Sequence, residues 1–271
     1  MPVIRALLLT LACALAGTAH AAPVKAFMSI IIDDLGQNSE RDSRTLALPG
    51  PVTLAVMPDT PHASDFARQA HKAGRTVILH MPMDPATGPY AWHPGLPIEE
   101  LARRLDAALI KVPFAAGVNN HMGSRMTAQP EAMAWLMGEL QRRELFFVDS
   151  RTSAATVAAA KAQETGLAHV SRDVFLDDVR TPEAIAAQLR QGVELARKQG
   201  SAVLIGHPYT DRPSVPANLA GAGAGNAPVG QPGHRVDRAA SDDRRAQQSG
   251  HAGTWSARPI QQPLSVLTRR E

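Results

Sequence analysis

Between residues 27 and 206, short apolar, β-branched runs return at near-regular intervals, and most of the gaps between them carry helical spacing. The runs are FMSIII (27–32), VTLAVM (52–57), TVIL (76–79), AAGV (115–118), LFFV (145–148), LAHV (167–170) and AVLIG (202–206). Each is too short for a core helix and rich enough in Val, Ile and Phe to read as a buried strand. The segments between them include 61–73, with Phe66, Ala70 and Ala73 on one face, and 98–110, with Leu101, Leu105, Ala108 and Leu109 together. Further helical segments are predicted at 130–143, 153–165 and 182–199, with Pro130 and Pro182 at first-turn positions. Strands that alternate with helices need crossover connections, which makes the sheet parallel and buries both of its faces. The pattern therefore predicts an α/β fold, as a (β/α) barrel or partial barrel rather than an open doubly wound sheet. After the first strand, Leu35-Gly36 runs into Gln37-Asn38 with no glycine-rich phosphate loop, which disfavours a dinucleotide-binding fold.

The two ends of the chain differ from this body. Arg5 precedes the apolar run ALLLTLACALA (6–16), and Ala19-His20-Ala21 places small residues at −3 and −1 of a cleavage site. This predicts a secretory leader over residues 1–21, removed to leave no membrane anchor, and a periplasmic mature protein. Cys13 is the single cysteine and lies inside that leader, so no disulfide framework supports the fold. The formal charge of +3 comes from the ends: residues 22–210 hold 19 Lys and Arg against 20 Asp and Glu. The basic balance thus predicts no nucleic-acid partner. Residues 211–271 hold 7 Gly, 6 Pro and 8 Arg without a sustained period, and are predicted to be a low-complexity tail or a divergent, frameshifted terminus. The folded domain is expected over 22–210.

Ligands bind parallel α/β folds where the strands end. FMSIII is followed by Asp33-Asp34, TVIL by His80, AAGV by Asn119-Asn120-His121, LFFV by Asp149-Ser150-Arg151, and AVLIG by His207. Singly, such residues are turn or capping residues. Together they deliver carboxylates and imidazoles to one rim. One carboxylate and two imidazoles make the three-ligand set of an open catalytic zinc site. A second aspartate beside such a site accepts a proton from water, and a histidine across the cleft returns one to a leaving group.

IIDDLG, LHMPMD, GVNNHMGSRMT, FFVDSRTS and IGHPY, in this order and spacing, resemble the divergent polysaccharide deacetylases, relatives of the NodB-type carbohydrate esterases. The resemblance covers residues 27–209. It implies a distorted barrel, a divalent metal, usually zinc, and hydrolysis of acetyl groups on an envelope polysaccharide or peptidoglycan-type glycan. Residue by residue it implies Asp33 as catalytic base, His207 as general acid, and Asp34, His80 and His121 as metal ligands. Asp149 and Arg151 match a pair that orients the catalytic groups, with Asn120 and Asp84 in supporting or substrate-facing places. The family's paired histidines, four residues apart, are altered here: Asp84 stands four residues after His80, as a ligand, a supporting acceptor or a turn residue before Pro85. An alternative keeps the cleft but not the chemistry, as a metal- or glycan-binding accessory factor of the envelope. Trp92 is either a sugar-stacking loop residue or a rim residue tucked onto the barrel.

Overall fold

The computed structural model describes residues 26–208, so the predicted leader and tail lie outside the described residues. Fourteen elements follow in chain order: β1 (Phe27–Leu35), α1 (Ser39–Leu46), β2 (Thr53–Val56), α2 (Ala63–Lys72), β3 (Thr76–Met83), α3 (Ile98–Lys111), β4 (Ala115–Met122), α4 (Pro130–Arg142), β5 (Phe146–Asp149), α5 (Ala158–Thr165), β6 (His169–Ser171), β7 (Val174–Phe175), α6 (Pro182–Gln199) and β8 (Ser201–Gly206). The strands form one sheet in the order β6-β5-β4-β3-β2-β1-β8-β7. Every pairing in it is parallel.

The sheet curls into a distorted barrel, and its topology shows why. β6 and β7 lie at opposite edges, yet only Arg172 and Asp173 separate them in sequence. Two residues reach roughly 7 Å, so the edges come together at this link. β6 and β7 are two halves of one kinked segment, the first pairing with β5 and the second with β8. The seven predicted strands are all present, the sixth as β6, and β7 lies outside every predicted run. Two aspartates extend the short β7 ladder, because Asp173 accepts from the Val203 N–H at 2.8 Å and Asp177 from the His207 N–H at 2.6 Å.

Strand alternation sorts the side chains into two cores. Ile31, Ala55, Ile78, Val148, Val170, Val203 and Ile205 fill the barrel interior. Ile30, Ile32, Leu54, Val56, Val77, Leu79 and Leu204 face outward, against helices that contribute Phe66, Leu101, Leu105, Met133, Leu136 and Ile185. Such double-sided burial is why the runs read as continuously apolar. Pro130 and Pro182 open α4 and α6 as predicted, and the Thr181 hydroxyl accepts from the Ala184 N–H at 3.2 Å. Trp92 is fully buried in the outer core beside Trp135, with ring centroids 5.8 Å apart, so it is not a sugar platform.

α1 is absent from the predicted elements. Its inward residues are Asp42 and Thr45, which leave no apolar period to read. Asn38 caps it by accepting from Arg41 N–H, and the buried Asp42 carboxylate accepts from Gly36 N–H at 2.7 Å and Asn38 N–H at 3.1 Å. The turn that leaves β1 is thereby fixed. No helix among the described residues is long and apolar enough to cross a membrane.

Candidate metal centre and catalytic residues

On five of the strands the interior face is apolar or bare below and polar at, or just past, its C-terminal end. Ile31 is followed two residues on by Asp33, Ile78 by His80, Val148 by Ser150 and Ile205 by His207. On β4 the same face carries Gly117, Asn119 and His121. β1, β3 and β4 run through their polar residues rather than stopping before them, so a period of two aims these side chains at one point. Gly117 is required beneath them, since a Cβ there would lie 2.6 Å from the Phe146 ring on the neighbouring strand.

Alternation alone would send Asp34 to the outside. Its φ is +58°, in the left-handed region, and the β1–β2 register shifts between Ile32 and Leu35. This bulge turns Asp34 back over the barrel mouth, and Arg41 Nη2 donates to its carbonyl oxygen at 3.3 Å. Two adjacent carboxylates thus reach the same site.

Asp34, His80 and His121 offer ligand atoms that all lie within 4.8 Å of one another. Asp34 Oδ1 lies 3.1 Å from His121 Nδ1 and 3.3 Å from His80 Nε2, and the two nitrogens are 3.2 Å apart. Ligands held about 2.0–2.1 Å from a tetrahedral ion stand about 3.3 Å from each other. The three atoms therefore make one face of such a tetrahedron, and the donor set fits zinc. Asp33 is buried alongside, with Oδ2 at 3.6 Å from His80 Nε2 and Oδ1 accepting from Asn119 Nδ2 at 2.9 Å.

The electrostatics favour a positive charge here. Burial raises the Asp33 carboxyl above the ordinary range, against the lowering pull of His80, His207 and Asn119. Burial opposes ionisation of Asp34 too, but hydrogen bonds from His121 and His80 outweigh it and hold that carboxyl far below the usual range. Burial likewise opposes charge on His80, yet the adjacent Asp33 and Asp34 push it up to about 9. A proton on His80 supplies the charge that a cation would otherwise bring.

Across the mouth, His207 Nδ1 donates to Asp177 Oδ1 at 3.0 Å. Burial works against the imidazolium, but the Asp177 carboxylate and the charge of Asp33 raise the His207 pKa. Phe175 stacks against the ring at 6.1 Å between centroids, and the Arg172 guanidinium lies 3.7 Å over the Phe175 ring. Arg172 also donates to the carbonyls of Ser150 and Arg151, at 2.7 and 2.9 Å, and so ties the β5 rim to the barrel seam.

The remaining candidates divide. Asp149 accepts from Arg151 N–H at 2.8 Å and from the Thr156 hydroxyl at 2.9 Å, while Arg151 itself is exposed with φ +48°. Asn120 faces away from His121, accepting from Ser150 N–H at 2.9 Å and donating to Met122 O at 2.7 Å. Asp84 pairs with Arg125 and, at 2.9 Å, with His93, and these partners hold its carboxyl below the usual range. Asp84 is not among the three residues that converge. Sequence reasoning missed Asn119, Ser150 and Asp177. Asn119 sat inside a quoted motif, whereas nothing local distinguishes Asp177.

A family profile described as divergent polysaccharide deacetylase matches residues 30–220. The chain belongs to that family. It is 39% identical over 186 residues to the uncharacterised protein YibQ of Escherichia coli K12, covering 67% of this chain and 58% of that protein, so it spans under two thirds of that relative's length. It is 38% identical over 205 residues to an uncharacterised protein of Haemophilus influenzae KW20 Rd, covering 74% of this chain and 72% of the relative. Among solved structures, an uncharacterised protein, ATU2773, from Agrobacterium tumefaciens C58 superposes with a TM-score of 0.66 at 23% identity, covering 70% of this chain and 80% of that one. That likeness shows a shared fold.

Proposed function

We propose that this divergent deacetylase is a secreted, periplasmic, zinc-dependent hydrolase that removes acetyl groups from an envelope polysaccharide or peptidoglycan-type glycan. The observation that carries the reading is the convergence of Asp34, His80 and His121 beside one further buried carboxylate, Asp33. Asp34, His80 and His121 would hold the zinc ion, which when bound would polarise the acetyl carbonyl and lower the pKa of its water to about 7. Asp33 takes the proton from the attacking water. Its burial makes it a stronger base than an exposed aspartate, which suits that task. His207, kept cationic by Asp177, gives a proton to the departing sugar nitrogen or oxygen. Asp149 and Asn120 hold the β4–β5 rim in shape, and the exposed Arg151 is presented to substrate. Asp84, with Arg125 and His93, forms a neighbouring wall of the cleft.

Elemental analysis of the purified mature protein tests the metal: about one zinc per chain is expected, and none in Asp34→Ala. Acetate release from acetylated glycan fragments tests the chemistry, with loss expected in Asp33→Ala while zinc is retained. Zinc retention without any acetate release from the wild type would favour an accessory binding protein instead. Absence of metal from the wild type would sink the hydrolase mechanism.

A further inference from the structure

We propose that Asn119 is a positioning residue that links the base to the metal site: its amide holds Asp33 and, at the same time, fixes which nitrogen of His80 faces the cation. The inference rests on the reading of Asp34, His80 and His121 as ligands. Asn119 is fully buried on β4, opposite His80 in the strand register. Its Oδ1 lies 2.8 Å from His80 Nδ1, and its Nδ2 lies 2.9 Å from Asp33 Oδ1 and 3.3 Å from Ser150 Oγ.

The two ends of an amide are chemically unlike, and the surroundings choose between them. An ionised Asp33 only accepts hydrogen bonds, so the NH2 end of Asn119 must face it. A reversed amide would set two acceptor oxygens against each other in a buried site, leaving both unmatched. The Ser150 hydroxyl donates or accepts and so decides nothing. With Nδ2 turned to Asp33, Oδ1 faces His80 and requires a proton on Nδ1. The lone pair of that imidazole is then on Nε2, the nitrogen that faces Asp34 Oδ1 and His121 Nδ1. Partners of this kind fix the orientation and donor nitrogen of ligating histidines elsewhere. Here the same amide also aims the base, so a single side chain serves two residues with different tasks. The neighbouring Asn120 does neither: it binds Ser150 N–H and Met122 O.

Two variants separate the tasks. Asn119→Asp still accepts from His80 Nδ1–H but has no N–H for Asp33. Asn119→Ala serves neither. The measurements are zinc affinity by competition with a chromophoric chelator, 15N-resolved imidazole signals of the zinc-loaded protein, and acetate release. Asn119→Ala is expected to bind zinc about 10–100-fold more weakly and to lose the slowly exchanging His80 Nδ1–H signal. Asn119→Asp is expected to keep zinc within about threefold of the wild type and to keep that signal, while its acetate release falls as far as that of Asn119→Ala. A merely structural role predicts that both variants lose zinc together, and that result overturns the proposal. Equal retention of zinc by both overturns it as well. The wild type alone supplies a check that needs no variant to fold: zinc-loaded His80 carrying its proton on Nε2 refutes the argument. If the zinc split holds but the wild type releases no acetate, the hold of Asn119 on His80 stands, while its hold on a catalytic base and the deacetylase reading fall.

Discussion

Replacing Asp177 by Asn tests the pair that sets His207. Asp177 uses both oxygens, Oδ2 for the His207 N–H at 2.6 Å and Oδ1 for Nδ1–H at 3.0 Å, and its side chain is only 3% exposed. An asparagine accepts through one oxygen and turns its NH2 against the other donor. A buried donor left without an acceptor costs about 1–3 kcal/mol. The charge supplies a second loss. A charge-assisted bond is worth roughly 1–2 kcal/mol more than a neutral one, and this increment exists only while His207 is protonated. The folded-state pKa of His207 is raised, so the increment is fully present below the unfolded value of about 6.5 and disappears as pH rises through the folded value. Above it, a neutral imidazole accepts from the asparagine NH2 and eases the penalty further. Urea denaturation of both proteins from about pH 5.5 to 10 is expected to show Asp177→Asn less stable by about 2–5 kcal/mol at the acid end, with the gap narrowing toward alkali. His80 titrates in both proteins and largely cancels in the difference. The alkaline limb of acetate release should move to lower pH in the variant. A stability gap that is flat or widens with rising pH would refute the argument that Asp177 holds His207 as a cation.

Zinc at about 100 times its dissociation constant should stabilise the wild type by about 2.7 kcal/mol, a rise of roughly 5–10 °C in Tm for a domain of this size. The same addition should leave Asp34→Ala unmoved in differential scanning fluorimetry. Two helical glycines should respond to alanine with opposite sign. Gly138 has nothing within 4 Å of a new Cβ, so Gly138→Ala gains about 0.5–1 kcal/mol of helix propensity. At Gly192 the Cβ would meet three atoms of the buried Leu204 at 2.5–3.0 Å. Overpacking there costs about 1–3 kcal/mol, and Gly192→Ala should emerge about 1–2 kcal/mol less stable by the same denaturation assay.

The architecture was legible because the chain alternates two periods, and five of the six helices lie where their apolar spacing predicts. α1 escaped because Asp42 and Thr45 are its inward residues, and apolar periodicity cannot register a helix that buries a carboxylate. The local clue was Asn38, an N-cap, followed four residues later by the aspartate that ties down the preceding turn. Val174–Phe175 escaped because two residues carry no period, and its identity as a strand depends on β8, some thirty residues away. At the site, Asp33, Asp34, His80, His121 and His207 could be picked out by type, since carboxylates and imidazoles at strand ends are chemically conspicuous. Asn119 and Asp177 are ordinary residues until the sheet closes. The first acquires its partners from β1, β3 and the β5 end, and the second from the end of the neighbouring strand β8.

The altered histidine motif has a conformational explanation. Residues four apart meet around one ion when the chain is helical, but β3 stays extended through Met83. Four residues of strand separate two Cα atoms by roughly 13 Å, which carries Asp84 past the point that His80 faces and into the reach of Arg125 and His93. A neighbouring strand brings a closer candidate. His121 pairs in register with Pro82, two residues beyond His80, so it lies one strand across and two residues up, about 8 Å between Cα atoms. It has the same facing as His80, and the two rings meet edge to face with centroids 4.9 Å apart. Straightening the chain after His80 thus removes the ligand four residues on and makes a ligand from β4 the geometrically available replacement. His121→Ala should therefore abolish zinc binding in equilibrium dialysis, whereas Asp84→Ala should leave affinity within about threefold of the wild type. Loss of zinc in Asp84→Ala with retention in His121→Ala would mean that β3 does not stay extended when the metal binds.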